Sequence, residues 1–296
     1  MKRCVIAGIS GLIGNHLVNE FPDGWAVWGL SRSLPGVRLP ANRFYHLSVN
    51  FEGEWNTAEL PEKADAVIHL AQSEHFRDFP EYSNDIFHVN TLSVLRLLDY
   101  ARRARASTFI LASSGGIYGY GENEFSEDRE VVSRGDLGFY LGTKLCSEVL
   151  AENYSPYMNI IILRFFFVYG PGQRPTMLIP RLVHLVTEGN AILLQGQDGI
   201  RINPIYVNDA ARSIISALTL TGSHKINIGG PTVLSLREIG DIIGSKLNKK
   251  PQFSIQPESK PRHLVGDIRK MTELLGAPST HFHDGVNPLL ASTCKR

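Results

Sequence analysis

Six short apolar runs, "RCVIAGI", "GWAVWGL", "RFYHLSV", "DAVIHLA", "STFILAS" and "NIIILRF", succeed one another through the first half of the chain. Runs that are apolar at consecutive positions leave no wet face. Such strands need a sheet covered on both sides, which parallel strands joined by helices provide. Between the runs, "HVNTLSVLRLLDYARRA" sets Val89, Leu92, Val94, Leu95, Leu97 and Leu98 at helical spacing, and "YLGTKLCSEVLAENY" repeats the pattern. Alternating β and α predicts an α/β chain built on a doubly wound parallel sheet.

After about residue 170 the segments shorten. "GPGQRP" reads as a loop, and helices are expected at 178–188, 208–220, 235–248 and 267–275, with "SLRE" as a capping box at Ser235. The expected organisation is a dinucleotide-binding core over 1–170 and a smaller α/β substrate-binding region over 171–296, with residues 200–220 returning to the core. Hydrophobic content of 43% in 296 residues is ample for such a core.

Thirty basic against 29 acidic side chains exclude a global field that would draw nucleic acid or an anionic membrane. Cys4, Cys146 and Cys294 are odd in number and lack metal or CxxC spacing. Together with the absence of a secretory leader or spanning run, this predicts a cytoplasmic protein with no disulfide framework. His69 lies in an apolar run and reads as a packed core residue, while Glu74, His75 and His88 lack ligand spacing. No metal is expected.

"AGISGLIGNHLV" places Gly8, Gly11 and Gly14 between a strand and a helix. Such glycines permit a tight turn, backbone approach to a pyrophosphate and close helix packing, and the helix N-terminus offers unpaired N–H donors. The GxxGxxG spacing resembles the extended short-chain dehydrogenase/reductase family, and further matches follow in order. "DAVIHLA" resembles that family's fourth strand, with Leu70 and Ala71 beside the cofactor. The helix of Asn90 resembles the one carrying its asparagine, and "FILASSGGIYG" its fifth strand, ending in a catalytic Ser114. "YLGTK" supplies the YxxxK pair, Tyr140 and Lys144, and "ILRFFFVYGPG" resembles the sixth strand and loop.

The resemblance implies a Rossmann-type core. Its cofactor contacts would be Gly8, Gly11, Leu12, Ile13, Gly14, Ser31, Arg32, Asn50, Phe51, Leu70, Ala71, Gln72, Asn90, Ala112, Tyr140, Lys144, Phe167 and Val168. Ser73, His75, Ser114, Phe167, Arg201 and Arg262 would meet substrate. Physically, Tyr140 and Lys144 stand four apart on one helix face, so the ammonium would favour phenolate. Ser114, at a strand's carboxyl end, could polarise the same substrate oxygen.

Relatives that eliminate water across C5 and C6 of a sugar carry Asp-Glu after the catalytic hydroxyl residue; here Gly115 and Gly116 follow Ser114, which disfavours a dehydratase. In "AVWGLSRS", Gly29 takes the position of the NAD-reading carboxylate, while Arg32, with Ser31 or Ser33, could hold a 2′-phosphate. NADP(H) is therefore expected, with NAD(H) possible. The expected activity is an NADPH-dependent ketoreductase acting on C4 of a keto sugar nucleotide. Three alternatives remain: a nucleotide-sugar 4-epimerase with retained NAD, a reductase of a non-sugar carbonyl, and a dinucleotide-sensing regulator. Phe167 replaces the family's phosphate-contacting asparagine, so substrate identity stays open. Asp209 is expected to cap a helix, and the resemblance implies a homodimer through the helices of Asn90 and Tyr140.

Overall fold

A computed structural model describes residues 1–36, 43–131, 137–257 and 263–293. The chain opens with β1 (Lys2–Ala7), α1 (Leu12–Glu20), β2 (Trp25–Ser31), β3 (Phe44–Ser48) and β4 (Ala66–His69). Helix α2 (Ser83–Phe87) passes through a π-helical turn, His88–Leu92, into α3 (Ser93–Arg103); β5 (Thr108–Ser114), α4 (Gly138–Glu152) and β6 (Asn159–Phe165) follow. The remainder comprises β7 (Val168–Tyr169), α5 (Leu178–Glu188), β8 (Ala191–Gln195), β9 (Arg201–Ile202), β10 (Ile205–Tyr206) and α6 (Val207–Ala217). It ends with β11 (His224–Ile228), β12 (Leu234–Ser235), α7 (Leu236–Leu247), β13 (Gln252–Gln256), α8 (Arg269–Leu275) and α9 (Phe282–Thr293).

A seven-stranded sheet runs β11-β6-β5-β4-β1-β2-β3. The pairings of β1 with β2 and β4, of β2 with β3, and of β4 with β5 are parallel. This is a Rossmann-type order. The chain leaves β1 in both directions, so the carboxyl ends of β1 and β4 frame the crevice where such sheets bind ligands. The seventh strand, "HKINI", was not among the six expected from the sequence.

Two compact units divide the chain. One comprises Met1–Ile117, Glu130–Arg164 and Ala211–Ile226; the other comprises Tyr118–Arg129, Phe165–Ala210 and Asn227–Arg296. The division crosses the chain several times.

In the first unit, Cys4, Val5, Ile6 and Ala7 of β1 are fully buried, as continuous apolar runs require. Val94, Leu97, Leu98 and Ala101 of α3 form the buried stripe packed with Val5, Val67 and Phe109, whereas Leu95 points to solvent. Each large apolar side chain buried there contributes about 1.5–3 kcal/mol.

In the second unit, Ile179, Leu182, Val183 and Val186 of α5 pack with Ile239 and Ile243 of α7 and with Ile192 and Leu194 of β8. The capping box at the start of α7 is present: Ser235 accepts from the Glu238 N–H and Glu238 accepts from the Ser235 N–H. Among the described residues no helix is long and apolar enough to cross a membrane.

Candidate active site

The glycine loop between β1 and α1 is shaped by contact and by torsion. Gly8 has φ +81°, and a Cβ there would lie 2.6 Å from the Ala71 nitrogen, so only glycine lets the loop pass the end of β4. At Gly14 a Cβ would meet the Ile9 carbonyl at 2.4 Å, which explains the close seat of α1. Gly11 caps α1 without a side-chain hydrogen bond. The first-turn amides, including those of Leu12 and Ile13, therefore remain for an anion, and this cradle fits a dinucleotide pyrophosphate.

Tyr140 and Lys144 lie on α4, and Ser114 ends β5. The tyrosine hydroxyl donates to Gln72 Oε1 at 2.9 Å. Burial raises its pKa above the ordinary phenol range, opposed by a hydrogen bond with Ser114. Lys144 is buried, and its Nζ donates to the Ala112 carbonyl at 3.0 Å. Burial lowers its pKa to about 8, against the opposing charge of Glu148. The expectation that Lys144 stabilises the Tyr140 phenolate is corrected here. The ammonium is turned to a backbone carbonyl, and desolvation keeps the phenol protonated.

Asn90 is 1% exposed, inside the π-helical turn. Its Oδ1 accepts from the Ser73 N–H at 3.0 Å, and its Nδ2 donates to Thr143 Oγ1 at 3.0 Å. Thr143 in turn donates to the Tyr140 carbonyl at 2.7 Å. The π-turn thus ties the segment after β4 to the helix of Tyr140; such turns recur at functional sites. Ser73 is committed to this network, because its Oγ accepts from the His75 N–H. His75 itself stacks on Tyr82 and bonds Asp78.

Below the lysine lies a charge pair absent from the sequence expectations. Glu148 accepts from Arg164 Nε at 3.1 Å, from Arg164 Nη2 at 2.7 Å and from Ser113 Oγ at 2.5 Å. Both charged side chains are about as buried as the core, at 2% and 3% exposed. The signals were an arginine inside the apolar run "NIIILRF" and a glutamate four residues after Lys144, since a buried charge needs a partner. His69 is fully buried and pairs with Ser93 through Nε2 at 2.6 Å, as a core histidine should. Burial, reinforced by Lys144, lowers its pKa to about 3.

At the end of β2 the geometry departs from the expected phosphate clamp. Arg32 Nη2 meets Glu74 at 2.8 Å and Nη1 meets Glu52 at 3.5 Å. Ser31 is buried and its hydroxyl donates to the Ser33 carbonyl at 2.7 Å. Gly29 is a packing requirement: a Cβ there would meet Ile9 and Phe44 at 2.8 Å. Glu52, Glu74 and His75 bring ligand atoms within 4.8 Å of one another despite lacking metal-ligand spacing in sequence, and the Arg32 guanidinium is the cation beside the two carboxylates. Asn50 Oδ1 accepts from the Glu52 N–H, and Phe51 is a core residue packed edge-on to Trp55.

The remaining residues expected to meet cofactor or substrate lie in the second unit or beyond the described chain. Phe167 holds φ +46°, a left-handed conformation that asparagine adopts more readily than phenylalanine, and packs beside Phe166 and Phe125. Val168 pairs with Ile205. Arg201 is exposed and pairs with Ser235 in a short ladder. Asp209 sits within the first turn of α6 and accepts from Thr280 N–H at 2.9 Å and Ser279 Oγ at 3.2 Å, which anchors that segment. Arg262 and Cys294 fall outside the described residues.

Comparison with known proteins then narrows the chemistry. The NAD dependent epimerase/dehydratase family matches residues 4–229. A UDP-glucuronate 4-epimerase of Thermodesulfobacterium geofontis is 29% identical, over 97% of this chain and 94% of its own. A Bacillus subtilis protein described as an uncharacterised UDP-glucose epimerase, YtcB, is also 29% identical, over 98% and 97%. The solved structure of MoeE5 in complex with UDP-glucuronic acid and NAD superposes with a TM-score of 0.83 at 25% identity, covering 99% of both chains. These relatives overturn the expectation of an NADPH-dependent ketoreductase, and the 4-epimerase alternative agrees with them better. A physical reason is visible at Arg32, one basis for that expectation, whose guanidinium is engaged by two carboxylates.

Proposed function

This chain belongs to the NAD dependent epimerase/dehydratase family, and we propose that it inverts the C4 hydroxyl of a UDP-linked sugar with NAD as its cofactor. Its relatives' described substrates support that class. One observation carries the choice of reaction. Ser114 ends β5 and opposes the rise in the Tyr140 pKa, while Gly115 and Gly116 follow the serine. Elimination of water would need an acid and a base at those positions, and glycine supplies neither.

The glycine cradle and the first turn of α1 would hold the pyrophosphate of NAD. When bound, NAD supplies a reversible two-electron oxidation, so that C4 passes through a ketone and regains hydrogen on its other face with no net redox change. Tyr140 accepts the C4 hydroxyl proton and returns it, and Ser114 donates to the same oxygen. A phenol raised by burial is a reluctant proton acceptor. Ser114, which opposes that rise, is the group available to make it a base.

The test is incubation of the purified chain with UDP-glucuronic acid and, separately, UDP-glucose, following products by NMR. A mixture of the two C4 epimers without net change in nicotinamide absorbance is expected, and Tyr140→Phe should slow it by about 100-fold or more. Stoichiometric nicotinamide oxidation, loss of carbon dioxide, or no turnover of either sugar would refute the reading. We also infer a homodimer through α2, α3 and α4, which expose Phe87, Leu95 and Val149 to solvent. Light scattering should give twice the chain mass; a monomer would refute this.

A further inference from the structure

We propose that Glu52 and Glu74, reaching in from the segments after β3 and β4, replace the carboxylate missing from the end of β2 and select NAD against NADP. The inference rests on the NAD reading above and assigns the residues that enforce it. In sheets of this order the end of β2 lies beside the adenosine ribose, and a carboxylate there accepts from its hydroxyls. β2 ends on Ser31, which carries no charge, and Gly29 two residues earlier has no room for a side chain, because the space a Cβ would need is filled by Ile9 and Phe44. The negative charge arrives from either side instead. The segment after β3 contributes Glu52 and the segment after β4 contributes Glu74, and both meet Arg32, the first residue beyond β2.

The arrangement discriminates by charge. Two carboxylates face the one guanidinium of Arg32, and the Glu74 hydrogen bond strengthens the arginine's hold on its proton. A 2′-phosphate, itself close to doubly charged, would have to displace Glu74 from Nη2 to gain the planar fork it prefers, and would then lie against both carboxylates. Ser31 offers it no ready hydroxyl, being buried and bonded to the Ser33 carbonyl. A ribose bearing only hydroxyls meets no such opposition, because an ionised carboxylate can accept about four hydrogen bonds. Glu52 and Glu74 are 23% and 33% exposed, so a ligand can reach them.

The experiment is titration of the intact chain, stripped of nucleotide, with NAD+ and NADP+ by calorimetry. Unmodified protein should bind NAD+ at least about tenfold more tightly. Glu74→Gln frees Arg32 and should shrink that ratio by about tenfold, and the Glu52→Gln/Glu74→Gln double variant should reverse it. Both substitutions are isosteric and part-exposed, and circular dichroism would verify the fold. If the unmodified chain prefers NADP+, the NAD reading itself falls and this inference with it. If it prefers NAD+ but neither variant changes the ratio, the reading stands and the role of Glu52 and Glu74 is refuted.

Discussion

Replacing Glu148 with glutamine should destabilise the first unit by about 3–5 kcal/mol, the usual cost of removing one partner of a buried ion pair. The working starts from the geometry. Arg164 makes two hydrogen bonds to the carboxylate, at 3.1 and 2.7 Å, Ser113 makes a third, and both charges are nearly inaccessible. Glutamine keeps the shape and one acceptor, but its amide N–H2 turns donors toward a guanidinium that is all donor. Trp25, Trp28 and Trp55 all lie in the first unit, so their fluorescence during urea unfolding reports on the unit that holds the pair. Replacing both partners, as Glu148→Met with Arg164→Met, should come within about 1 kcal/mol of the unmodified protein, since two well-packed apolar groups need no partner charge. A Glu148→Gln loss below about 1 kcal/mol, or a double variant as unstable as the two single losses added, would refute the reasoning. A second readout follows from the sign of the coupling. Glu148 opposes the lowering of the Lys144 pKa, so its removal should carry that pKa below about 8 and move the basic limb of the pH–rate profile to lower pH.

Two further outcomes are expected. His69 is held neutral, with a pKa near 3 against about 6.5 in an unfolded chain. The unfolded state therefore binds more protons between those values, and stability should fall as pH drops from about 6.5 toward 3, by at most about 1.4 kcal/mol per unit from this group; urea midpoints measured across that range should lose part of their slope in His69→Gln, and an unchanged slope would contradict the assignment. Gly8→Ala should cost about 2 kcal/mol or more and abolish NAD+-induced thermal stabilisation, because φ is +81° and the added Cβ meets the Ala71 backbone. Gly24→Ala, at φ +89° with open space around it, should cost less and leave cofactor binding intact, and equal losses at the two sites would show that the contact with Ala71 is immaterial.

The sheet was legible because its strands carry their environment in their composition. "RCVIAGI" is apolar on both faces, and β1 is buried on both. The expected helices 178–188 and 235–248 appear as α5 and α7, each with a readable end: Gly189 in the left-handed region closes α5, and Ser235 with Glu238 opens α7. What the sequence hid was whatever depends on distant segments. The ladders β7–β10 and β9–β12 span two residues each, too short for a period to register. Tyr118–Arg129 groups with the second unit although its neighbours on both sides belong to the first.

The same distinction explains which parts of the site could be read. Ser114, Tyr140 and Lys144 are marked by local sequence pattern, so they can be proposed without coordinates. Their electrostatics cannot, because a pKa depends on what surrounds the group rather than on what precedes it. Four-residue spacing suggested that Lys144 would lower the Tyr140 pKa, yet burial dominates both groups, pushing the phenol up and the ammonium down. Arg32 is the sharper case. Read alone, an arginine after β2 signals a phosphate; beside Glu52 and Glu74 the same residue is engaged by two carboxylates. The charge of a site belongs to the set of side chains the fold assembles, and three adjacent parallel strands, β1, β2 and β3, with β4 on the other side of β1, bring those three residues to one edge. An inference from a lone charged residue at a strand end therefore holds only once the residues following the neighbouring strands have been read with it.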